Sequence, residues 1–139
     1  MRALRFSRWR RDARGATALE FALVAPILIM MLGGIIDYGN YFATAHAVQQ
    51  TVNDAARAAI GGVTAAERLS LAQTTAAADL ADYHFLTPGA GALTIDEGDE
   101  RLTLSLTYTP DGGGFELMPM APGLPATVTR TAVIIRGGY

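Results

Sequence analysis

An uninterrupted apolar segment near the N-terminus constrains the fold of this chain more than any other feature. Residues 16–36 read ATALEFALVAPILIMMLGGII and contain one charged side chain, Glu20. As an α-helix this segment would be about 31 Å long, which matches the hydrocarbon core of a bilayer. A core helix of a soluble protein normally has a polar face, so the segment is better interpreted as a membrane-spanning helix.

The arginines are distributed unevenly, and their position predicts the orientation of that helix. Six of the eleven arginines lie in the first fourteen residues, and the remainder of the chain is acidic. Four of them, Arg8, Arg10, Arg11 and Arg14, directly precede the apolar segment. Positive residues beside a membrane helix stay cytoplasmic, so the body after Ile36 should face the opposite side. Because no basic fold follows the arginines, we expect no nucleic-acid partner.

The junction between the basic and apolar segments carries a recognisable pattern. Gly15 ends the basic leader, Glu20 and Phe21 follow inside the helix, and Pro26 lies further along it. A secretory signal has its cleavage site after the apolar stretch, whereas this junction precedes it. The pattern resembles the type IV prepilin processing site, particularly the short-leader tight-adherence (Flp, type IVb) branch. Extended from Gly15 to Pro26, it is similar to the TadE-like pseudopilin family.

The resemblance implies a structural rather than a catalytic role. It implies a minor pilin or pseudopilin of a tight-adherence pilus or secretion apparatus, cut between Gly15 and Ala16 by a prepilin peptidase. Glu20, Phe21 and Pro26 would be the assembly residues. The partners implied are other pilin subunits, an inner-membrane assembly platform and the lipid bilayer. The chain would reside in the bacterial inner membrane, with a periplasmic head, or outside the cell within a pilus.

The residue types at the junction also have a physical rationale. A carboxylate such as Glu20 costs roughly 2.5–3.5 kcal/mol at the bilayer centre and less near its edge. Cleavage after Gly15 would leave a positive α-amine on Ala16, four residues away on the same helix face. That amine and the carboxylate of Glu20 can pair within one chain or between neighbours, and the family resemblance implies pairing between neighbours. Alternatively, Glu20 reaches the aqueous interface by itself.

Beyond the membrane the helix is predicted to continue to Ile60. Apolar side chains recur there at alternating spacings of three and four, which is an amphipathic pattern. These side chains are Tyr38, Tyr41, Ala45, Val48, Val52, Ala55 and Ala59. The stripe can pack against the chain's own domain, which we favour, or form a coiled-coil seam with a partner. Pro26, inside the apolar half, is expected to bend the helix.

The remaining chain predicts a small α+β head. Gly61-Gly62 ends the first helix, and a capping box from Thr64 to Glu67 begins a second that runs to about Asp82. Pro88-Gly89 indicates a turn, and strands are expected over 92–96, 102–108 and 126–136. The fold class is therefore pilin-like α+β with about three antiparallel strands. The chain divides into a leader (1–15), a membrane helix (16–36), its continuation (37–60) and the head (61–139).

No residue pattern of an enzyme or a metal site is visible. The chain has no cysteine, which excludes disulfides, cysteine-ligated zinc and a cysteine nucleophile. His46 and His84 have no second ligand at metal spacing. We therefore expect no catalytic residue, no metal and no cofactor. Four acidic residues at 96, 97, 99 and 100 are interpreted as a solvated hairpin turn, with a weak cation site as the alternative.

Two further interpretations of the whole chain remain at this stage. An uncleaved single-pass envelope protein with a periplasmic binding head would keep its leader intact. A secreted domain would be cut by signal peptidase after Ala45 or Ala47, where small residues follow the apolar segment. The apolar side chains of the loop 110–125, namely Phe115, Leu117, Met118 and Met120, are expected either to form a contact surface or to fold onto the core.

Overall fold

The predicted layout of elements is confirmed. The structure is a computed structural model that describes residues 13–111 and 123–135. Two helices, α1 (Ala13–Ile60) and α2 (Ala65–Asp82), precede three strands, β1 (Gly91–Glu97), β2 (Arg101–Tyr108) and β3 (Val128–Ile135). The predicted apolar loop residues between Phe115 and Met120 lie outside the described part of the chain.

Helix α1 dominates the molecule. It has 48 residues, so it extends for about 72 Å. It begins three residues before Ala16, which places the junction at Gly15 inside its first turn. The helix is continuous through Pro26, and the bend expected there stays a prediction. The first half of α1 is largely exposed, and its second half supplies one side of the core.

The apolar stripe on the second half of α1 packs against the chain's own head. Val48, Val52, Ala55 and Ala59 are fully buried, and Ala45 is nearly so. They face α2 and the strands β2 and β3, so the favoured interpretation is confirmed and no coiled-coil seam remains there. The stripe begins later than predicted, because the first of its predicted side chains, that of Tyr38, is 43% exposed.

A glycine is needed at position 62, after the end of α1, for a steric reason and not for the predicted helix cap. The predicted cap needs a left-handed glycine, but among the described residues only Gly89 and Gly123 have positive φ. A Cβ on Gly62 would instead lie 2.6 Å from the backbone nitrogen of Arg68, in the second turn of α2. The glycine is therefore required because the start of α2 lies directly against it.

The guanidinium of Arg68 holds this corner to the sheet. Its Nη1 donates to the carbonyl oxygens of Gly62 and Val63 at 3.1 and 3.2 Å. Its Nε and Nη2 donate to the two carboxylate oxygens of Glu97 at 3.0 and 2.8 Å. Such a fork-to-fork pair fixes geometry as well as charge. The end of β1 is thereby tied to the turn between the helices.

Helix α2 begins with the predicted capping box, in a slightly shifted form. The N–H of Glu67 donates to Oγ1 of Thr64 at 3.2 Å, and the carboxylate of Glu67 accepts from the N–H of Val63 at 2.9 Å. Ala72, Ala76 and Leu80 form its buried face. Leu69 and Tyr83, which were predicted for the same face, lie at its edge with partial exposure.

The turn into the sheet is the predicted one at Pro88-Gly89. Gly89 has φ +83°, and the N–H of Ala90 donates to the carbonyl of Thr87 at 3.2 Å, as in a type II turn. The hydroxyl of Tyr108 accepts a bond from the N–H of Thr87 at 2.8 Å, which joins this turn to the end of β2.

The three strands form one antiparallel sheet in the order β1-β2-β3. The alternation predicted for β2 is confirmed, since Leu102, Leu104, Leu106 and Tyr108 are buried against the helices. The opposite face carries hydroxyls that pair across strands. Ser105 meets Thr131 at 3.2 Å, and Thr107 meets Thr129 at 3.0 Å.

Replacement of Gly62 by Ala should destabilise the head. The added methyl group overlaps the backbone of Arg68, and overpacking of this kind costs about 1–3 kcal/mol. Gly61→Ala is the matched control, because its Cβ would meet its nearest atom, the carbonyl oxygen of Ala58, at 3.4 Å. Thermal unfolding in detergent, followed by circular dichroism, measures both. Equal melting temperatures for the two variants would contradict the assigned role of Gly62.

Asp79 on α2 is a half-buried carboxyl in an unfavourable position. Burial raises its pKa above the ordinary value of 3.8, and the nearby carboxylates of Asp54 and Asp82 raise the pKa further. Its Oδ2 has no hydrogen-bond partner among the described residues. Ionisation of Asp79 therefore opposes folding, so stability is greatest below pH 3.8 as far as this group is concerned, and falls as the pH rises through the raised pKa.

Asp79→Asn should raise the melting temperature at neutral pH. The gain should shrink as the pH falls through the raised pKa and vanish below the ordinary value of 3.8, because wild-type Asp79 is then neutral as well. Asp99→Asn, in the exposed hairpin turn, is the control and should change little at either pH. A gain for Asp79→Asn that does not depend on pH would refute the electrostatic explanation.

Candidate functional site

The exposed face of the first half of α1 is the most unusual surface of the molecule. By length and composition, this helix is able to cross a membrane, with a mean hydropathy of 2.3 over its best window. Signal sequences near an N-terminus and core helices of soluble proteins pass the same test. A core helix would be mostly buried, however, and only 6% of this window is buried within the chain.

The apolar side chains project outward around the helix. Large apolar side chains of a soluble protein are most often buried, whereas here a long run of them is exposed. The exposed members are Leu19, Phe21, Leu23, Val24, Ile27, Leu28, Ile29, Met30, Met31, Leu32, Ile35 and Ile36. A continuous apolar surface of this size marks contact with lipid or with another protein.

The predicted processing and assembly residues lie along one part of this surface. Gly15, Ala16 and Glu20 are exposed in the first two turns of α1, and the spacing of four places Ala16 and Glu20 on the same helix face. A Cβ on Gly15 would meet no atom within 4 Å. The backbone at the junction is therefore unobstructed by the rest of the fold.

The other two predicted assembly residues lie further along the helix. Phe21 is 68% exposed, and Pro26 is exposed within the continuous helix. The distance from Gly15 to Pro26 along the axis is about 17 Å. Of the predicted orientation residues, Arg14 lies in the first turn of α1, whereas Arg8, Arg10 and Arg11 lie outside the described residues.

Sequence reasoning missed the environment of Asp37. This residue directly follows the apolar segment. The structure buries Asp37 completely (0% exposed). Burial of the same helix face begins four residues earlier, at Gly33. No local sequence pattern indicates this burial.

An aromatic cluster follows Asp37 along α1 and extends from the core side to the exposed side of the helix. The rings of Tyr38 and Phe42 are 6.4 Å apart, and those of Tyr41 and Phe42 meet edge to face at 5.6 Å. Phe42 is 58% exposed, whereas Tyr41 is packed against the core. We refer to Tyr38, Tyr41 and Phe42 as the aromatic cluster.

The alternative sites considered from the sequence do not assemble. Within 13–111 and 123–135, no group of three or more His, Asp or Glu side chains could hold a metal ion. His46 and His84 are both exposed, and one lies on α1 while the other follows α2. Of the acidic hairpin residues, Glu97 binds Arg68, whereas Asp96, Asp99 and Glu100 are exposed. No sequence pattern indicated the pair of Arg68 and Glu97, because its members are 29 residues apart.

Comparison with known proteins places the similarity on this helix. Residues 15–57 match the family model described as TadE-like protein. The matched segment covers about a third of the chain and lies within α1, from the junction glycine to the part of the helix buried in the head. The family resemblance is therefore confirmed over this segment. Neither the comparison with curated proteins nor that with solved structures found a significant match.

A charge in the middle of the exposed apolar surface should prevent membrane association. Leu28→Arg places a guanidinium near the centre of the segment, at a cost of about 2.5–3.5 kcal/mol for insertion. Gln50→Arg, at an exposed position in the head-level part of α1, is the matched control. The readout is the fraction that stays with membranes after alkaline extraction. If both variants stay with the membranes equally, this surface does not anchor the chain.

Proposed function

We propose that this chain, whose N-terminal helix matches the TadE-like family, is a minor pilin or pseudopilin of a tight-adherence type IVb pilus or a related secretion apparatus. One observation carries the proposal. A single continuous helix of 48 residues leaves an apolar half exposed and uses its other half as the core of a small α+β head. That architecture suits a subunit that is anchored in a membrane and associates through its N-terminal helix.

The family match supports the coarser part of this proposal. It indicates a pilin-like protein associated with the tight-adherence pilus, and the apolar helix fits a single membrane pass. The family is structural rather than catalytic, in agreement with the absence of an enzyme pattern in the sequence. Orientation, with the leader in the cytoplasm and the head in the periplasm, follows as a proposal from the arginines before α1.

We infer that a prepilin peptidase cuts between Gly15 and Ala16. The exposure of this junction and the free space around Gly15 support that inference. A protease must take the peptide out of its helical hydrogen bonds, which is easiest in the first turn and at a glycine, where helix propensity is lowest. The peptidase is a separate protein, and this chain is its substrate.

After cleavage, the assembly role falls to Glu20. Its carboxylate and the new α-amine of Ala16 lie on one exposed face of α1, where no residue of the head covers them. In a bundle of such helices, each carboxylate can accept the amine of a neighbouring subunit, which fixes the axial register between them. The exposed ring of Phe21 and the exposed Pro26 lie on the surface that such neighbours would contact.

The two alternatives differ in how well the structure accommodates them. A signal-peptidase cut after Ala45 or Ala47 would fall inside α1, and both alanines are buried in the core. Such a cut would remove the first turns of the core helix and leave a damaged head. An uncleaved envelope protein with a periplasmic binding head would keep α1 and the head intact. The processing experiment must therefore distinguish it from the proposed pilin.

Expression with and without a prepilin peptidase tests the processing step. We expect intact mass and N-terminal sequencing to show a new terminus at Ala16 only when the peptidase is present. Gly15→Leu should block the cut because its side chain hinders close approach to the backbone. Ala13→Leu, two residues upstream, is the matched control and should still be cut. An unchanged Met1 terminus in every sample would favour the uncleaved envelope protein.

Neutralising Glu20 tests the assembly role separately from processing. Glu20→Gln should be cut normally but should be lost from the sheared filament fraction, because the amide cannot pair with the α-amine as an ion. Asp99→Asn in the hairpin turn is the matched control and should assemble. The measurement is the ratio of filament-bound to membrane-bound subunit. Normal assembly of Glu20→Gln would rule out the proposed pairing.

A further inference from the structure

Because Asp37 is buried, the membrane-spanning part of α1 does not have to end at Ile36. A charged side chain beyond Ile36 indicates that lipid contact ends there. In the structure, that carboxyl is enclosed by protein, so it does not face lipid or bulk water. A buried side chain on one face does not prevent the opposite face of the same helix from remaining in the bilayer.

The outer face of α1 stays apolar beyond Ile36. Met31, Ile35, Tyr38 and Phe42 follow one another at spacings of four, three and four, so they form one stripe. They are between 43% and 65% exposed. The next exposed side chain on this side of the helix is His46, one turn further, and it is polar. Between Glu20 and His46, no exposed side chain is charged, and Asn40 is the only exposed residue with an amide side chain.

The length of this uncharged surface matches a bilayer. From Phe21 to Phe42 the helix rises about 31 Å, which equals a typical hydrocarbon core of about 30 Å. Both ends carry exposed aromatic rings: Phe21 is 68% exposed, and Phe42 is 58% exposed beside Tyr38. Aromatic side chains are enriched at the two membrane–water interfaces, where an amphipathic ring such as tyrosine reaches the headgroups.

We propose that α1 spans the hydrocarbon core of the bilayer from Phe21 to Phe42, about one and a half turns closer to the head than residues 16–36 suggest, and that the exposed rings of Tyr38 and Phe42 lie in the outer acyl-chain region next to the lipid headgroups. The inference rests on the single membrane pass of the proposed function but not on processing. In this register the protein that encloses Gly33 and Asp37 lies at the depth of the bilayer, so no exposed stalk separates the head from the membrane. Glu20 and Gly15 then lie on the aqueous side of the opposite interface, where a peptidase reaches them.

The lipid interface is the occupant that the structure favours for the aromatic cluster. The stripe from Met31 to Phe42 has no break at Ile36, so the surface that contacts lipid continues into the cluster. Its polar boundary is at His46, and nothing on the head side interrupts it. A dedicated interface for a second copy would be an apolar patch with its own boundary. Among the described residues of this face, no boundary separates Tyr38 and Phe42 from the apolar stripe that precedes them.

Tryptophan scanning in vesicles tests this register on the full-length chain. Trp9 is the only tryptophan, so Trp9→Phe gives a silent background. Phe42→Trp, Tyr38→Trp and the control His46→Trp each add one reporter on the same side of α1. The vesicles contain phosphatidylethanolamine and phosphatidylglycerol with bromine atoms placed high on the acyl chains. The readouts are quenching by these lipids and by aqueous iodide.

We expect the tryptophans at positions 38 and 42 to lose most of their emission to the brominated lipids and little to iodide. The tryptophan at position 46 should behave in the opposite way. Iodide quenching at all three positions would place the boundary near Ile36 and overturn the proposal. Lipid quenching at all three would overturn it equally, because the polar boundary at His46 would have failed. Protection at position 42 that is lost on dilution of the protein into excess lipid would identify a second copy as the occupant.

Discussion

One continuous helix has to satisfy two different solvents, and the rest of the structure depends on this constraint. The backbone of α1 satisfies its own hydrogen bonds, which is what allows its first half to enter lipid. Its second half contributes small side chains such as Ala45, Ala55 and Ala59, which let α2 and the sheet approach closely. The described part of the head therefore packs against one side of the second half of α1.

Arg68 and Gly62 fix one end of the head, and the burial pattern of α1 changes near Asp37. At the far end, the guanidinium of Arg68 joins the turn between the helices to Glu97 on β1, and Gly62 admits the backbone of α2. At the membrane end, Asp37 is enclosed while Tyr38 and Phe42 stay exposed on the other side of α1. In the proposed register, the same helix segment is enclosed by protein on one face and contacts lipid on the other.

Much of the fold was predictable, because its signals are local. The apolar segment, the capping box at Thr64 and the alternation in β2 depend on near neighbours along the chain, and the structure confirms all three. Tyr38 was predicted to lie on the buried stripe but is 43% exposed, because the extent of burial along α1 depends on tertiary packing and not on the local pattern. The pair of Arg68 and Glu97 and the close approach at Gly62 were likewise invisible, since they join residues that only tertiary packing brings together. The candidate site residues between Gly15 and Pro26 were predicted from the sequence. Their common exposure on α1 could be seen only in the structure.

The side of the membrane on which each part of α1 lies tests the central claim most directly. The chain lacks cysteine, so single cysteines can be introduced at Ser7, in the leader, and at Gln50, in the head. Intact spheroplasts of a strain without a prepilin peptidase, in which the leader stays attached, are treated with a membrane-impermeant maleimide before and after lysis. A single pass with a periplasmic head predicts immediate labelling at position 50 and labelling at position 7 only after lysis. Labelling of both positions in intact spheroplasts, or of neither, would contradict the account.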